Sequence, residues 1–347
     1  MIATHRVGLS VAAVAAVAAF AVAAFAVVGI GVASHAPAQP AGDGERLLHD
    51  AASANAHQSY AGVLSVDWVD HGARHHVEAY THVVDGEVEL GAGTSRVLSA
   101  GSQRWVGSPG AWALVVGSDS TAAAAPSADA NWDLQTEPGP SVAGRDTTEV
   151  VATEPSSGAP RARFFIDIRT GTLLRRDTLD GHGHLVREVS FEAFLALGEA
   201  ATPVRPRATK TEEPVTLRSV PAGYQGPSGL GPGYRLLGRY RQPDGTVQLY
   251  YGDGIFTLSL FEQKGTIDWG SLPAGTAVDV NGNGGRTYET ATSSVAVWDD
   301  HGLVVTAVSD AAPDQVLAAV RSVKGAGHGT GLLHDVAHFV LGPFGWD

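Results

Sequence analysis

Apolar and polar residues alternate with a period of two between Val142 and Phe194. Two glycine-containing turn pairs, Thr170-Gly171 and Asp180-Gly181, separate three such runs: Arg161–Ile168, Thr172–Leu179 and Leu185–Phe191. Alternation bounded by such turns predicts an antiparallel β-meander. The polar positions carry arginines and carboxylates, as on a solvated sheet face, and no nucleophile, base and orienting group converge there. The segment therefore predicts a curved sheet that binds something, not a catalytic centre.

One helix is predicted before this meander and a second unit after it. Helical spacing runs from Asp43 to about Gln58, and strand-like pieces follow from Val63 to Trp105. Further strands separated by turns are predicted at Tyr234–Tyr240, Val247–Tyr251, Ile255–Phe261, Val295–Trp298 and Leu303–Val308. A helix from about Pro313 to Val323 ends this unit. Strands followed by a terminal helix predict an antiparallel sheet backed on one face.

The length of the chain, 347 residues, allows about two domains. Hydrophobic residues make up 44% of it, which is enough to form a core in each. We expect an N-terminal transmembrane anchor or signal segment (1–36), a β-rich domain (43–200), a proline-containing charged linker (201–216), an α+β domain (217–325) and an amphipathic tail (326–347).

Charge and cysteine content exclude several classes of function. The formal net charge is −13, which argues against non-specific binding of nucleic acid because that needs a basic surface. The chain has no cysteine, which excludes disulfides, thiolate metal sites and a thiol nucleophile.

The N-terminal segment places the bulk of the chain outside the cytoplasm. Val7 to Ala33 is almost wholly apolar and follows Arg6. At about 1.5 Å per residue this run spans about 40 Å, against a hydrocarbon core of about 30 Å. Its length favours a retained single-pass membrane anchor, since cleaved signal peptides have shorter apolar regions. The alternative is secretion after cleavage at Ser34-His35-Ala36, a small-x-small site.

Four local motifs, in order, resemble the MucB/RseB family of regulators of extracytoplasmic sigma factors. They are Ser59–Gly62 at the end of a helix, Val142–Arg145 before a strand, Ile166–Arg175 leading to Val189–Phe191, and Pro221–Tyr224 followed by Tyr251–Phe261. They span about residues 45 to 325. The long apolar N-terminus and the alanine- and glycine-rich composition suggest an actinobacterial relative.

The resemblance implies a fold and a partner. The fold is α+β: an N-terminal half-open antiparallel β-wrap, like that of the carriers LolA and LolB, with helices on its concave side, and a smaller C-terminal antiparallel sheet backed by a helix. The family binds the extracytoplasmic part of a membrane anti-sigma factor, and lipid-like signals release it. Between Thr81 and Trp112 the sequence departs from the family pattern, with no clear equivalent of its strands.

Aromatic residues of the first domain are the candidate ligand-binding residues. Aromatic side chains along a concave sheet would suit an acyl chain or an apolar peptide side chain. The alternative for each is an ordinary core position. The candidates are Tyr60, Trp68, Trp105, Trp112, Trp132 and Phe164.

His334 and His338 form the sharpest enzyme-like pattern. Two histidines four residues apart on a helix suit zinc, but Asp335 between them is shorter than the glutamate of zinc proteases. An amphipathic tail helix is the favoured interpretation, and an envelope metallohydrolase is the alternative. We therefore expect no enzyme activity, no metal and no cofactor.

Other histidines and aspartates have simpler interpretations. A cluster formed by His71, His75, His76 and His82 is interpreted as exposed turn residues, with pH sensing or incidental metal binding as alternatives. Asp253 lies in a turn, where its side chain is expected to cap the backbone.

Two binding functions and one enzymatic function remain open. The leading hypothesis is an extracytoplasmic protein that binds a membrane anti-sigma factor and senses an apolar or lipid ligand. The alternative is a lipid or lipoprotein carrier of the cell envelope. A second domain favours the regulator, since a simple carrier needs only one β-wrap.

Overall fold

The computed structural model describes residues 42–84, 87–92, 95–100, 103–108, 111–116, 126–197, 215–231, 233–242, 244–270 and 272–322. The helices are α1 (Asp43–His57) and α2 (Pro313–Val320), with a 3-10 turn at Ala128–Ala130. The strands of the first sheet are β1 (Tyr60–Asp70), β2 (Ala73–Val84), β3 (Glu87–Ala92), β4 (Ser95–Ala100), β5 (Gln103–Ser108), β6 (Ala111–Val116), β7 (Asp133–Val142), β8 (Arg145–Thr153), β9 (Pro160–Asp167), β10 (Leu173–Leu179) and β11 (Leu185–Ala196). Those of the second are β12 (Val215–Thr216), β13 (Gly229–Leu230), β14 (Tyr234–Arg241), β15 (Val247–Gly252), β16 (Thr257–Lys264), β17 (Thr276–Val280), β18 (Asn283–Glu289), β19 (Ser294–Asp300) and β20 (Leu303–Ser309).

The first sheet is an antiparallel meander in two halves. Its eleven strands run in the order β6-β5-β4-β3-β2-β1-β11-β10-β9-β8-β7, so β1 joins β11 in the middle and the described path stays open at β6 and β7. The meander predicted between Arg161 and Phe191 is confirmed as β9, β10 and β11. Strands also occupy the stretch from Thr81 to Trp112, where the motifs gave no clear guide.

The first sheet curls, because residues three strands apart come into contact. The guanidinium of Arg145 on β8 lies 5.0 Å from the ring centroid of Phe194 on β11, although β9 and β10 lie between them in the sheet. The helix α1 packs against β7 to β10, with Leu48 and Ala51 fully buried. The predicted half-open wrap is thus confirmed, with one α-helix in its described part where several were expected.

The second sheet is smaller in its span of the chain and is backed by α2. Its order is β12-β14-β15-β16-β20-β19-β18-β17, with β13 also paired to β14. Strands β16, β19 and β20 are buried almost throughout, and β19 and β20 contain the apolar runs Val295–Trp298 and Leu303–Val305. Pro313 begins α2, at a position where the backbone N–H would have no partner within the helix, so its absence in proline costs nothing. The helix packs on β19 and β20.

One boundary of the sequence interpretation is corrected. The last two residues of the predicted linker, Val215 and Thr216, form β12 and pair with β14. Strands β17 and β18 are joined by a two-residue turn, Asn281-Gly282. The positive φ of both turn residues, 54° and 87°, explains the Asn-Gly pair.

One face of the first sheet carries both α1 and the second sheet. Residues directly opposite each other on paired strands point to the same face. One such row runs from β7 to β1: Leu134, Ala152, Ala162, Thr178, Arg187 and Trp68. Leu134 lies against Gly44 of α1, whereas Thr178 and Arg187 bond to the second sheet. We call this the inner face and the opposite one the outer face.

Some predicted features lie outside the described residues. These are the apolar N-terminal segment, most of the linker, and the tail with His334 and His338. In the part of the chain that is described, no helix is long and apolar enough to span a membrane. The domain boundaries stay a prediction, although two sheets match the two units expected.

Candidate functional site

Two buried arginines of the inner face join the first sheet to the second. Arg176 on β10 and Arg187 on β11 are 4% and 3% exposed. Arginine is rarely buried so fully unless its charge is paired. Both reach turns at one end of the second sheet, and we call this region the inter-sheet cluster: Arg176, Arg187, Asp253, Glu289 and Asp310.

Arg176 is held by a carboxylate, a carbonyl and two aromatic rings. Its Nη1 lies 2.7 Å from Oδ2 of Asp310, and its Nη2 donates to the carbonyl of Ile255 at 3.3 Å. Its guanidinium lies 5.4 Å from the ring centroid of Phe164 and 5.2 Å from that of Phe256. Cation–π contacts of this kind are stronger when they are shielded from water, as here. Arg176 thus contacts Phe164 of the first sheet and Phe256 beside the second.

Arg187 spans three groups of the second sheet. Its Nη2 donates to Oε2 of Glu289 at 3.1 Å, while Nε and Nη1 donate to the carbonyls of Thr290 and Asp310 at 3.2 and 3.3 Å. Burial raises the pKa of Glu289 to about 8, although the charge of Arg187 opposes that rise. The five-donor geometry of a guanidinium suits this arrangement, which a lysine would not reproduce.

Asp253 caps its own turn, as the sequence predicted. Its Oδ1 accepts hydrogen bonds from the backbone N–H groups of Ile255 and Phe256 at 2.8 and 2.7 Å. The side chain of Asn131, next to the 3-10 turn of the first sheet, donates to the carbonyl of Asp253 at 2.8 Å. Burial raises the pKa of Asp253 to about 7, because the two N–H groups only partly offset the loss of water.

Tyr60 and Trp68, two of the candidate groove residues, lie on β1 in different surroundings. Tyr60 packs against Phe191 and Phe194, with ring centroids 5.9 and 5.4 Å away. Trp68 stacks on His75 at 5.1 Å and belongs to a small cluster with Ala291 of the second sheet.

Two other candidates lie at the inter-sheet cluster. The ring of Trp132 meets that of Phe256 edge-on at 5.5 Å, and Phe164 lies under Arg176. All four described candidates are thus buried in contacts with the protein itself. Trp105 and Trp112 lie on β5 and β6, outside the residues whose side chains are described. The apolar groove therefore stays a prediction.

Sequence reasoning missed the inter-sheet cluster. Alternation treats an arginine in a strand as solvent-exposed, and the partners lie more than 100 residues away along the chain. One signal was present: Arg175 and Arg176 are consecutive in a strand, so one of them had to face the interior. Arg175 faces outward, pairing with Asp177 and Glu188 at 2.7 and 2.8 Å.

The fold is α+β, with a curled antiparallel sheet and a second antiparallel sheet backed by a helix. No protein-family model and no curated protein matches the chain. Among solved structures, it is similar to MucB in complex with MucA(peri), with 22% identity, coverage of 82% of this chain and 99% of that one, and a TM-score of 0.46.

Two further structures are similar at lower identity. The Pseudomonas aeruginosa MucA/MucB complex has 20% identity, covers 83% of this chain and 100% of that one, and gives a TM-score of 0.46. A LolA superfamily protein from Nitrosomonas europaea has 10% identity, covers 46% and 95%, and gives a TM-score of 0.23. MucB is the protein family that the sequence motifs resemble. The actinobacterial origin stays a prediction.

We predict that Arg176→Met lowers the free energy of unfolding by about 3–5 kcal/mol, because the buried carboxylate of Asp310 loses its ion-pair partner. Arg46→Met is the control, since its pair with Asp43 on α1 joins side chains that are 60% and 74% exposed, and its loss should cost about 1 kcal/mol or less. Urea unfolding at pH 7 measures both. Equal losses for the two variants would contradict the buried pairing of Arg176 with Asp310.

We predict that Asp253 makes the protein less stable as pH rises from about 4 to about 7. The folded pKa, about 7, lies above the ordinary value of 3.8. The folded state therefore holds the proton more tightly, and this stabilisation is complete at low pH and lost as pH rises. Each pKa unit is worth about 1.4 kcal/mol, so the loss is at most about 4 kcal/mol.

Asp253→Asn tests this pH dependence because an amide oxygen can still accept both backbone bonds. Urea unfolding at pH 5, 6, 7 and 8 should give a flatter profile for the variant than for the unchanged chain. Parallel profiles would show that the carboxyl is ionised throughout.

Proposed function

We propose that this chain is an extracytoplasmic binding protein that docks an extended segment of a membrane anti-sigma factor. The sequence motifs of the MucB/RseB type motivate the proposal, and solved structures of MucB contain MucA. The bulk of the chain is outside the cytoplasm in this proposal, tethered by the apolar N-terminal segment or released by its cleavage.

The observation that carries the proposal is the buried arginine contact between the sheets. Because Arg176 and Arg187 bond to defined groups of the second sheet, they hold the two sheets in one arrangement. A pre-organised arrangement reduces the entropy that a partner must overcome on binding. This supports a docking surface to which both sheets contribute.

A free strand edge of the second sheet is the proposed docking place. The first sheet's edge strand β7 contains Pro138 and Pro140, which donate no hydrogen bond, and β12 is only two residues long. The other end strand of the second sheet, β17, has five residues without proline. Its neighbour β18 contacts β1, so the edge lies beside the first sheet.

The hairpin geometry shows which groups of β17 face outward. Val280 and Asn283 flank the two-residue turn, so they form a hydrogen-bonded pair, as do Val278 and Gly285. The alternate residues Ala277 and Asp279 then point their backbone groups away from β18. Arg321 donates to the carbonyl of Asp279 at 3.1 Å, which agrees with this orientation. Ala277 is therefore the residue whose backbone groups an added strand would meet.

Charge limits the chemistry of the partner. Since this chain carries a formal charge of −13, we expect the partner segment to be neutral or basic. Main-chain hydrogen bonds along an added strand would supply affinity without a basic surface on this protein.

The carrier alternative is less well supported by the inner face. A lipid carrier needs apolar surface that is free to hold an acyl chain, whereas Trp68, Trp132 and Phe164 contact the second sheet or its arginine partner. The proposal also includes sensing of an apolar ligand. Such a ligand would act by displacing the contacts that Trp68, Trp132 and Phe164 make between the sheets.

We predict that Ala277→Pro weakens binding of the partner segment at least tenfold, because it removes the outward N–H while leaving the β17–β18 bonds intact. Ala277→Ser, which keeps the N–H, is the matched control and should bind like the unchanged chain. The partner is first recovered from membranes of the source cells with the full chain, and its purified extracytoplasmic segment is then titrated by calorimetry.

Recovery of a single-span membrane protein with a cytoplasmic sigma-binding region is the expected result. Equal affinity of the proline and serine variants would refute docking at β17, and recovery of lipoproteins alone would favour the carrier. Adding fatty-acid micelles to the formed complex tests ligand sensing. We expect release of the partner segment, and a complex that persists would refute sensing of an apolar ligand.

A further inference from the structure

Three side chains with metal-binding donor atoms meet on the outer face of the first sheet. His76 and Glu78 lie two residues apart on β2, and therefore point to the same side, while Glu192 comes from β11. One donor atom from each of the three lies within 4.8 Å of the others. We call these three residues the outer-face triad.

A β-bulge lies at Glu192. Val63 on β1 faces Ala193, but the next residue, Leu64, faces Phe191. Glu192 is therefore the extra residue of β11 that has no opposite partner. Alternation with Glu188 and Ser190 places Glu192 on the outer face, and the bulge keeps the next residue, Ala193, on that face as well.

The imidazole of His76 is oriented by a carboxylate behind it. Its Nδ1 lies 3.0 Å from Oδ1 of Asp67, the residue opposite it on β1. Asp67 is in turn held by Ser65, whose Oγ donates to Oδ2 at 2.7 Å. A carboxylate that accepts from Nδ1–H fixes the tautomer and leaves Nε2 free to bind a metal, which is the common outer-shell arrangement of histidine ligands.

The two glutamates of the triad have no hydrogen-bond or ion-pair partner in the described part of the chain. The outer-face arginine Arg175 is paired with Asp177 and Glu188 instead. Two ionised carboxylates that come this close repel each other, and a cation bound between them removes that repulsion.

We propose that the outer-face triad binds one divalent transition-metal ion of the zinc class. An imidazole nitrogen with two carboxylate oxygens suits zinc, whereas magnesium and calcium prefer oxygen ligands alone. Three protein ligands leave a fourth position for water. Metal bonds of about 2 Å require the donors to approach to about 3.5 Å, which these exposed side chains can reach by small rotations. The ion would tie β2 to β11 across β1.

The full chain, prepared without a histidine tag, is titrated with zinc by calorimetry and with cobalt by visible absorption. We expect one equivalent to bind, and His76→Ala and Glu192→Gln each to weaken binding at least tenfold. The matched control is His75→Ala, the neighbour on β2 whose ring stacks on Trp68 of the inner face. It should bind zinc like the unchanged chain. Circular dichroism checks that each variant is folded.

Two results would overturn the proposal. Zinc affinity that falls equally in all three variants, or in none of them, would show adventitious binding only. Loss of the bound equivalent in a His334→Ala/His338→Ala variant, with His76→Ala unaffected, would place the metal in the tail instead.

Discussion

The structure depends on the burial of two positive charges between the sheets. A guanidinium removed from water is stable only when carboxylates and carbonyls replace its hydration, and here those groups come from the second sheet. The requirement is geometric as well as electrostatic, because a displacement of either sheet leaves an unpaired charge in the interior. Arg176 and Arg187 thus restrict how the two sheets can be placed relative to each other.

That restriction bears on what the inner face can do. At one end it is covered by α1, and at the other by turns of the second sheet that carry Asp253, Glu289 and Asp310. The aromatic residues that suggested an open groove contribute to the packing of this region. A protein arranged in this way is better suited to present a fixed outer surface and strand edges than to enclose a lipid in the region that these turns fill.

The sequence predicted the regular part of this architecture. Alternation and turn residues located β9 to β11 because each strand has one buried face and each turn a residue that accepts the turn conformation. The same rule failed at Arg176 and Arg187, since a charged residue is assigned to solvent unless its distant partner is known. The bulge at Glu192 shows a second limit: one extra residue in β11 shifts the pairing with β1 beyond it, and no local pattern marks that shift.

The most direct test of the account is whether the two sheets hold one arrangement in solution. The chain has no cysteine, so Glu137→Cys on β7 and Arg235→Cys on β14 introduce two unique spin-labelling positions, both exposed. Electron–electron double resonance then measures the distance between the labels. The account predicts a single narrow distance distribution. A broad or bimodal distribution in the otherwise unchanged chain would show that the buried arginines do not fix the sheets, and would contradict it.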